Sequence, residues 1–159
     1  MFDLSLLKLE PCTSDDVFIS PATDAQIEKL EHYCGHSLPG ALKEIFKYYN
    51  GCSSSVRNFI PENNSNSINE ICTVSYFFAL DNRQDKMPPN IWWAIQEFSE
   101  FLGGNSLPIA EDDEGAIYFL KWVGNIPQVW LLKYTEREKP KSFFIMNSFE
   151  NMLGALYEE

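Results

Sequence analysis

A chain of 159 residues with 12 basic and 23 acidic side chains carries a net charge of −11, a field that repels nucleic-acid phosphates and favours a basic partner. Hydrophobic residues at 45% and charged residues at 22% describe an ordinary globular protein rather than a disordered one, and the length suits a single domain burying about two thirds of its unfolded surface. No stretch approaches the ~18 consecutive apolar residues of a membrane span, and Met1-Phe2-Asp3-Leu4 lacks the basic start of a secretory signal, so a cytosolic protein with reduced Cys12, Cys34, Cys52 and Cys72 is expected.

Along the chain, Leu4, Leu6, Leu7 and Leu9 make a short apolar patch, helix or strand, that Pro11 ends. Thr23, with Gln26 three residues on, forms the capping box of a helix whose Ile27, Leu30 and Tyr33 share a face and which Gly35 stops. Pro39 suits the first turn of a second helix, because its missing N–H would be unpaired there anyway, and Leu42, Ile45, Phe46 and Tyr49 give its apolar stripe. Asn50-Gly51 supplies two residues tolerant of positive φ and ends that helix. Residues 53–69, rich in Ser and Asn around Pro61, read as a surface loop, and residues 72–80, dense in β-branched and aromatic side chains, as a strand. Pro88-Pro89 opens a helix over 90–102, with Trp92, Ile95, Phe98 or Ser99, and Leu102 on one face and Gly103-Gly104 as its stop.

Beyond residue 106 the rhythm becomes that of strands, at 107–110, 116–122, 128–134 and 142–146, joined by turns at 112–115, 124–125 and 136–140. Short turns imply antiparallel pairing. A closing helix capped by Asn147 or Ser148 presents Phe149, Met152, Leu153 and Leu156 to the sheet. The expected fold is α+β: one domain, 1–159, a mainly antiparallel twisted sheet with an N-terminal helix pair, a middle helix and a C-terminal helix around it. Residues 1–20 form an N-terminal extension to it.

Three runs carry a family likeness: IEKLEHYCGHSLPGALKEIFKYYNG at 27–51, LPIAEDDEGAIYFL at 107–120 and SFENMLGAL at 148–156. Together they resemble the SUKH superfamily, the domain of Smi/Knr-type cell-wall synthesis regulators and of bacterial toxin-immunity proteins. The resemblance implies a non-catalytic binding module in which Leu38, Pro39, Asn50, Gly51, Asp112, Gly115 and Phe149 are fold determinants. It departs from the family pattern at Cys52 and Ala116, where the family often has Gly and an acidic residue, and these positions bear on partner choice.

Chemistry-bearing constellations point the same way. His32 and His36 flank Cys34, but Gly35 breaks the helix that would align the imidazoles, and neither HExxH nor a spaced Cys pair accompanies them, so no metal is expected. Glu111, Asp112, Asp113 and Glu114 lack the alternating spacing of a calcium loop and read as a solvated hairpin turn. With no P-loop, GxGxxG or GxSxG, neither cofactor nor catalytic residue is assigned. Of the adjacent Trp92 and Trp93, about 100° apart on a helix, one faces the core and the other the flank, while Trp122 and Trp130 read as cross-strand packing. The expected partner-binding residues are Glu111, Asp112, Asp113 and Glu114, whose field steers a basic protein, and Trp93, whose ring supplies desolvated contact area. The function expected is an immunity protein that binds a basic toxin domain, a nuclease for example; the alternative is an intracellular regulatory or scaffold module unrelated to toxins.

Overall fold

A computed structural model describes residues 2–12, 19–62, 70–81, 90–135 and 137–159. Asp3 accepts from Ser5 N at 3.0 Å and starts a 3-10 turn, Leu4–Leu7, after which the chain extends into β1, Glu10–Pro11. The patch is therefore turn and then strand, with Leu4, Leu7 and Leu9 buried. Pro11 closes it on an edge strand, where a missing N–H removes no ladder bond.

In α1 (Asp24–Cys34) the capping box forms as the sequence predicts, and Gly35 takes a left-handed φ of 76° to end it. Ile27 and Leu30 are buried, but Tyr33, expected beside them, is half exposed because it meets the edge of Trp92 at 5.5 Å rather than the core. Pro39 lies one residue earlier than expected, as the extended N-cap of α2 (Gly40–Tyr49). Leu42, Ile45 and Phe46 are at most 1% exposed and stabilise the fold by roughly 1.5–3 kcal/mol each, whereas Tyr49 is only half buried. The two helices are tied by Lys47 to Asp24 at 2.7 Å and by Leu38 N donating to Glu31 Oε2 at 2.7 Å.

A seven-stranded antiparallel sheet follows, in the order β1, β2 (Cys52–Ser53), β5 (Tyr76–Phe77), β6 (Ser106–Glu111), β7 (Ile117–Trp122), β8 (Pro127–Thr135) and β9 (Glu138–Met146). The short strands β3 (Asn58–Phe59) and β4 (Cys72–Thr73) form a separate pair. Two expectations are corrected here. Residues 53–62 are not a surface loop throughout, since Val56, Asn58, Phe59 and Pro61 are buried; residues 63–69 lie outside the described part. The single strand expected over 72–80 is broken in two, because Val74 N donates to Arg57 O while Ser75 N donates to Glu111 O, so the backbone changes partners between the two sheets.

The middle helix, α3 (Ile91–Leu102), starts at the N-cap Asn90, whose side chain accepts from Trp92 N at 2.9 Å, and packs over β6. Pro88 and Pro89 lie outside the described residues. Between β8 and β9 the predicted turn at 136–140 shrinks, with Thr135 opposite Glu138, so that Lys139, Pro140 and Lys141 belong to β9. As β9 is an edge strand, Pro140 costs no ladder bond. Ser148 caps α4 (Phe149–Ala155) by accepting from Asn151 N at 3.1 Å, and Phe149, Met152 and Leu153 bury against β8, β9, β3 and α2. Leu156, the last of the expected stripe, is half buried. The architecture is α+β.

Candidate partner-binding surface

Asn50 is 6% exposed and its φ of −50° is not left-handed, so it does not share the role of Gly51, which alone takes the positive φ, 72°. Its side chain instead joins three segments: Nδ2 donates to Ser20 O and Leu80 O, each at 2.9 Å, and Oδ1 accepts from Leu80 N at 2.7 Å. A buried amide with this donor and acceptor set replaces ladder bonds that neither segment could otherwise make. Leu38, Pro39 and Phe149 meet in space, lining an open groove of about 620 Å³ with Ile126 of the β7–β8 turn and Pro127 at the start of β8. Gly115, at φ 87°, turns the chain between β6 and β7.

Within the acidic turn the four carboxylates divide. Asp112 is the clasp: its Oδ1 accepts from Glu114 N at 2.9 Å and Ala116 N at 2.8 Å, and its backbone N–H donates to Ala116 O at 2.9 Å. Burial raises its pKa, and these two N–H donors only partly oppose the rise. Asp113 is bound by Arg57 and by the Ser75 hydroxyl, which anchors the turn to the β3–β5 segment. Glu111 Oε2 accepts from Tyr76 OH at 2.9 Å, and the phenol of Tyr76 is raised by burial and then by that carboxylate. The Glu114 side chain is exposed and makes no hydrogen bond to a described residue, so of the four carboxylates it is the one left unengaged by the turn.

Trp92 and Trp93 correct the expectation that one of them is core. Both are half buried and flank the buried line of Ile91, Ala94, Ile95, Phe98 and Leu102. Trp92 meets Tyr33 edge-on, with Lys29 Nζ 5.2 Å from its ring, and Trp93 meets Phe98 edge-on at 5.8 Å. Phe98 in turn touches Tyr134 at 5.4 Å. Tyr134 is 44% exposed, and its phenol is raised by burial and by the fields of Glu111, Asp112 and Glu97. The row Trp93–Phe98–Tyr134 thus leads from α3 toward the acidic turn, which brings the two expected halves of the surface into one neighbourhood. Tyr134 carried no signal in the sequence, since only the register of β8 places it there.

Trp130 does pack across strands, edge-on to Phe144 at 5.9 Å, its partner on β9. Trp122 does not face Trp130; it is buried and stacked on His36, ring centroids 4.6 Å apart and 4° from parallel. His36, expected at a helix surface, is half buried in that stack, with Nε2 3.1 Å from Asn105 Oδ1, whereas His32 is exposed. Among the described residues no group of three His, Cys, Asp or Glu side chains is arranged to hold a metal ion. All four cysteines are free; burial pushes the Cys72 thiol up to about 11 and raises Cys52 further. No helix among the described residues is long and apolar enough to cross a membrane.

No curated protein and no solved structure shows significant similarity to the chain. The profile of the SMI1 / KNR4 family (SUKH-1) matches residues 21–155, which span both helices of the amino-terminal pair, the acidic turn and α4. The family includes toxin-immunity proteins and Smi/Knr-type regulators, and its members bind partner proteins. With that match covering most of its length and its three characteristic runs folded into one α+β unit, the chain belongs to the SMI1 / KNR4 family (SUKH-1).

Proposed function

We propose that this chain is a cytosolic immunity protein that neutralises a cognate bacterial toxin by stoichiometric binding, without catalysis and without a cofactor. Family membership over residues 21–155 in a chain of net charge −11 is the observation that carries this reading. The toxin domain then presents a basic surface, as a nuclease does, and the immunity protein masks it. Nucleic acid and membrane are not its ligands.

Contact is made by the 111–114 turn and by Trp93. Asp112 and Asp113 hold the turn in shape through Ala116, Ser75 and Arg57, while Glu114 faces outward. A rigid turn loses little conformational freedom on binding, and Trp93 adds apolar contact area that a carboxylate cannot.

Co-expression of this chain with the product of a neighbouring toxin gene tests the proposal. Restored growth together with a one-to-one complex on size exclusion is the expected result. The family name itself favours a second reading, a regulatory module of the Smi/Knr type. A chain that protects against no neighbouring gene product yet co-purifies with a signalling or cell-wall protein would overturn the immunity reading in favour of that one.

A further inference from the structure

The outer face of α3 is acidic. Its sequence, IWWAIQEFSEFL, holds no basic residue, and its only charges, Glu97 and Glu100, lie in its carboxyl-terminal half. Glu100 stands in the last turn, where the carbonyl end of the helix dipole is already negative, and the two carboxylates, three residues apart, repel each other. In α1, by contrast, Glu31 of the last turn is held by Lys43 and by Leu38 N, and Asp24 of the first turn by Lys47. Neither Glu97 nor Glu100 makes an ion pair with a described residue, and both are exposed.

Trp93, Glu97, Glu100 and Phe101 recur at the spacing of one helical stripe, outward of the buried line, with Trp93 half buried at its edge. Phe101 is 45% exposed, a ring left in water at the end of that stripe. At the flank of the same helix, Phe98 leads to the half-exposed Tyr134. Two carboxylates thus lie between two aromatic rings along one outward face.

We infer that this face of α3 docks an arginine-bearing segment of the partner, with Glu97 and Glu100 taking guanidinium groups that lie against the rings of Phe101 and Trp93. Charge complementarity selects a basic occupant, and the flanking rings select arginine over lysine. A guanidinium is planar, pairs with a carboxylate through two parallel N–H donors and stacks on an aromatic face, whereas an ammonium is a hydrated point charge. Binding that segment also relieves the mutual repulsion of the two carboxylates.

The inference rests on the binding-protein reading above and extends its surface beyond the acidic turn. A 15-residue helical peptide bearing arginines four residues apart, with lysine and citrulline versions, is titrated into the labelled full chain and followed by amide NMR shifts. The arginine peptide should shift residues 93–101 and Tyr134, bind about threefold or more tighter than the lysine version, and lose about tenfold in affinity to Glu97→Gln/Glu100→Gln. Phe101→Ser should weaken it as well, and Glu97→Gln/Glu100→Gln should melt no lower than the unaltered chain, since both carboxylates are exposed and repel each other. Equal binding of arginine and lysine peptides, affinity untouched by Glu97→Gln/Glu100→Gln, shifts confined to 111–114, or no binding at all would each overturn the inference. If toxin protection fails while the peptide still docks on α3, the immunity reading falls and this surface stands. If Glu97→Gln/Glu100→Gln protects against the toxin as well as the unaltered chain, the surface falls alone.

Discussion

Gly51→Ala should cost far more than a glycine-to-alanine change in a turn ordinarily does, and the structure divides the cost into two parts. With φ at 72°, any L side chain there meets the left-handed penalty of about 1–2 kcal/mol. The new Cβ would also lie 2.9 Å from Ala79 Cβ and 3.3 Å from Ile19 Cδ1. Ile19 can turn aside, but Ala79 has no rotamer, is wholly buried, and is pinned by its carbonyl accepting from Ile91 N at 2.8 Å. Overpacking of that kind adds about 1–3 kcal/mol, for a total of about 2–5 kcal/mol. Gly35 is the internal control, because its φ is 76° and a methyl at that position would meet no atom within 4 Å, so Gly35→Ala should cost only the backbone part, about 1–2 kcal/mol. Urea unfolding of both variants at 25 °C, with m unchanged, measures the difference. Equal costs, within about 0.5 kcal/mol, would refute the close approach of Gly51 to Ala79. Gly51→Val should be at least as damaging as Gly51→Ala, and a variant that unfolds like the unaltered chain yet loses its partner would instead make Gly51 a binding residue.

Asn50→Ala should cost about 2–4 kcal/mol in thermal or urea unfolding, because Leu80 N and the carbonyls of Ser20 and Leu80 lose their buried partner together; a cost under about 1 kcal/mol would show that water replaces it. Asp112→Asn keeps both Oδ1 contacts but removes a carboxylate whose folded pKa is raised by burial. A raised acid favours the fold below its unfolded pKa and loses that contribution as pH rises through the folded value, so the variant should gain stability relative to the unaltered chain as pH rises from about 3 to about 7, and a relative loss would reverse the sign. Against the cognate toxin in surface plasmon resonance, neutral amides at 111–114 should chiefly slow association and flatten its salt dependence, whereas Trp93→Ala should speed dissociation and cost about 2 kcal/mol; unchanged rates in both would place the interface elsewhere.

What the sequence disclosed was local. The capping box of Thr23 and Gln26, the stop at Gly35, the Ser148 cap and the turn at 112–115 all depend on residues within a few positions of one another, and each is present as predicted. Contacts fixed by partners far along the chain stayed hidden. Asn50 looked like a helix stop because its neighbour is Gly51, but its side chain is committed to Ser20 and Leu80, thirty residues away on either side. The stretch 72–80 had strand composition throughout, and only the competing partners Arg57 and Glu111 cut it in two. For the surface, Trp93 and the acidic turn could be singled out by residue type. The link between them through Phe98 and Tyr134 required the position of α3 over the sheet, while the stripe from Trp93 to Phe101 was open to helical spacing alone.

Apart from β3 and β4, the strands stand in the sheet in the order in which they occur along the chain. Every new strand of the β6–β9 meander therefore finds its neighbour immediately before it, and those hairpins can close over short loops at small entropic cost. Contacts of the opposite kind gather at the chain ends: Phe2 N with Glu150, Lys8 with Glu158, and Asn58 paired with Tyr157. The protein is thus assembled as a self-propagating ribbon with a late clasp. Residues 157–159 are held by that clasp without the buried leucines that also anchor 2–10, so among the described residues hydrogen exchange should be faster at 157–159 than at 4–10, while β7 and β8 exchange only through global unfolding.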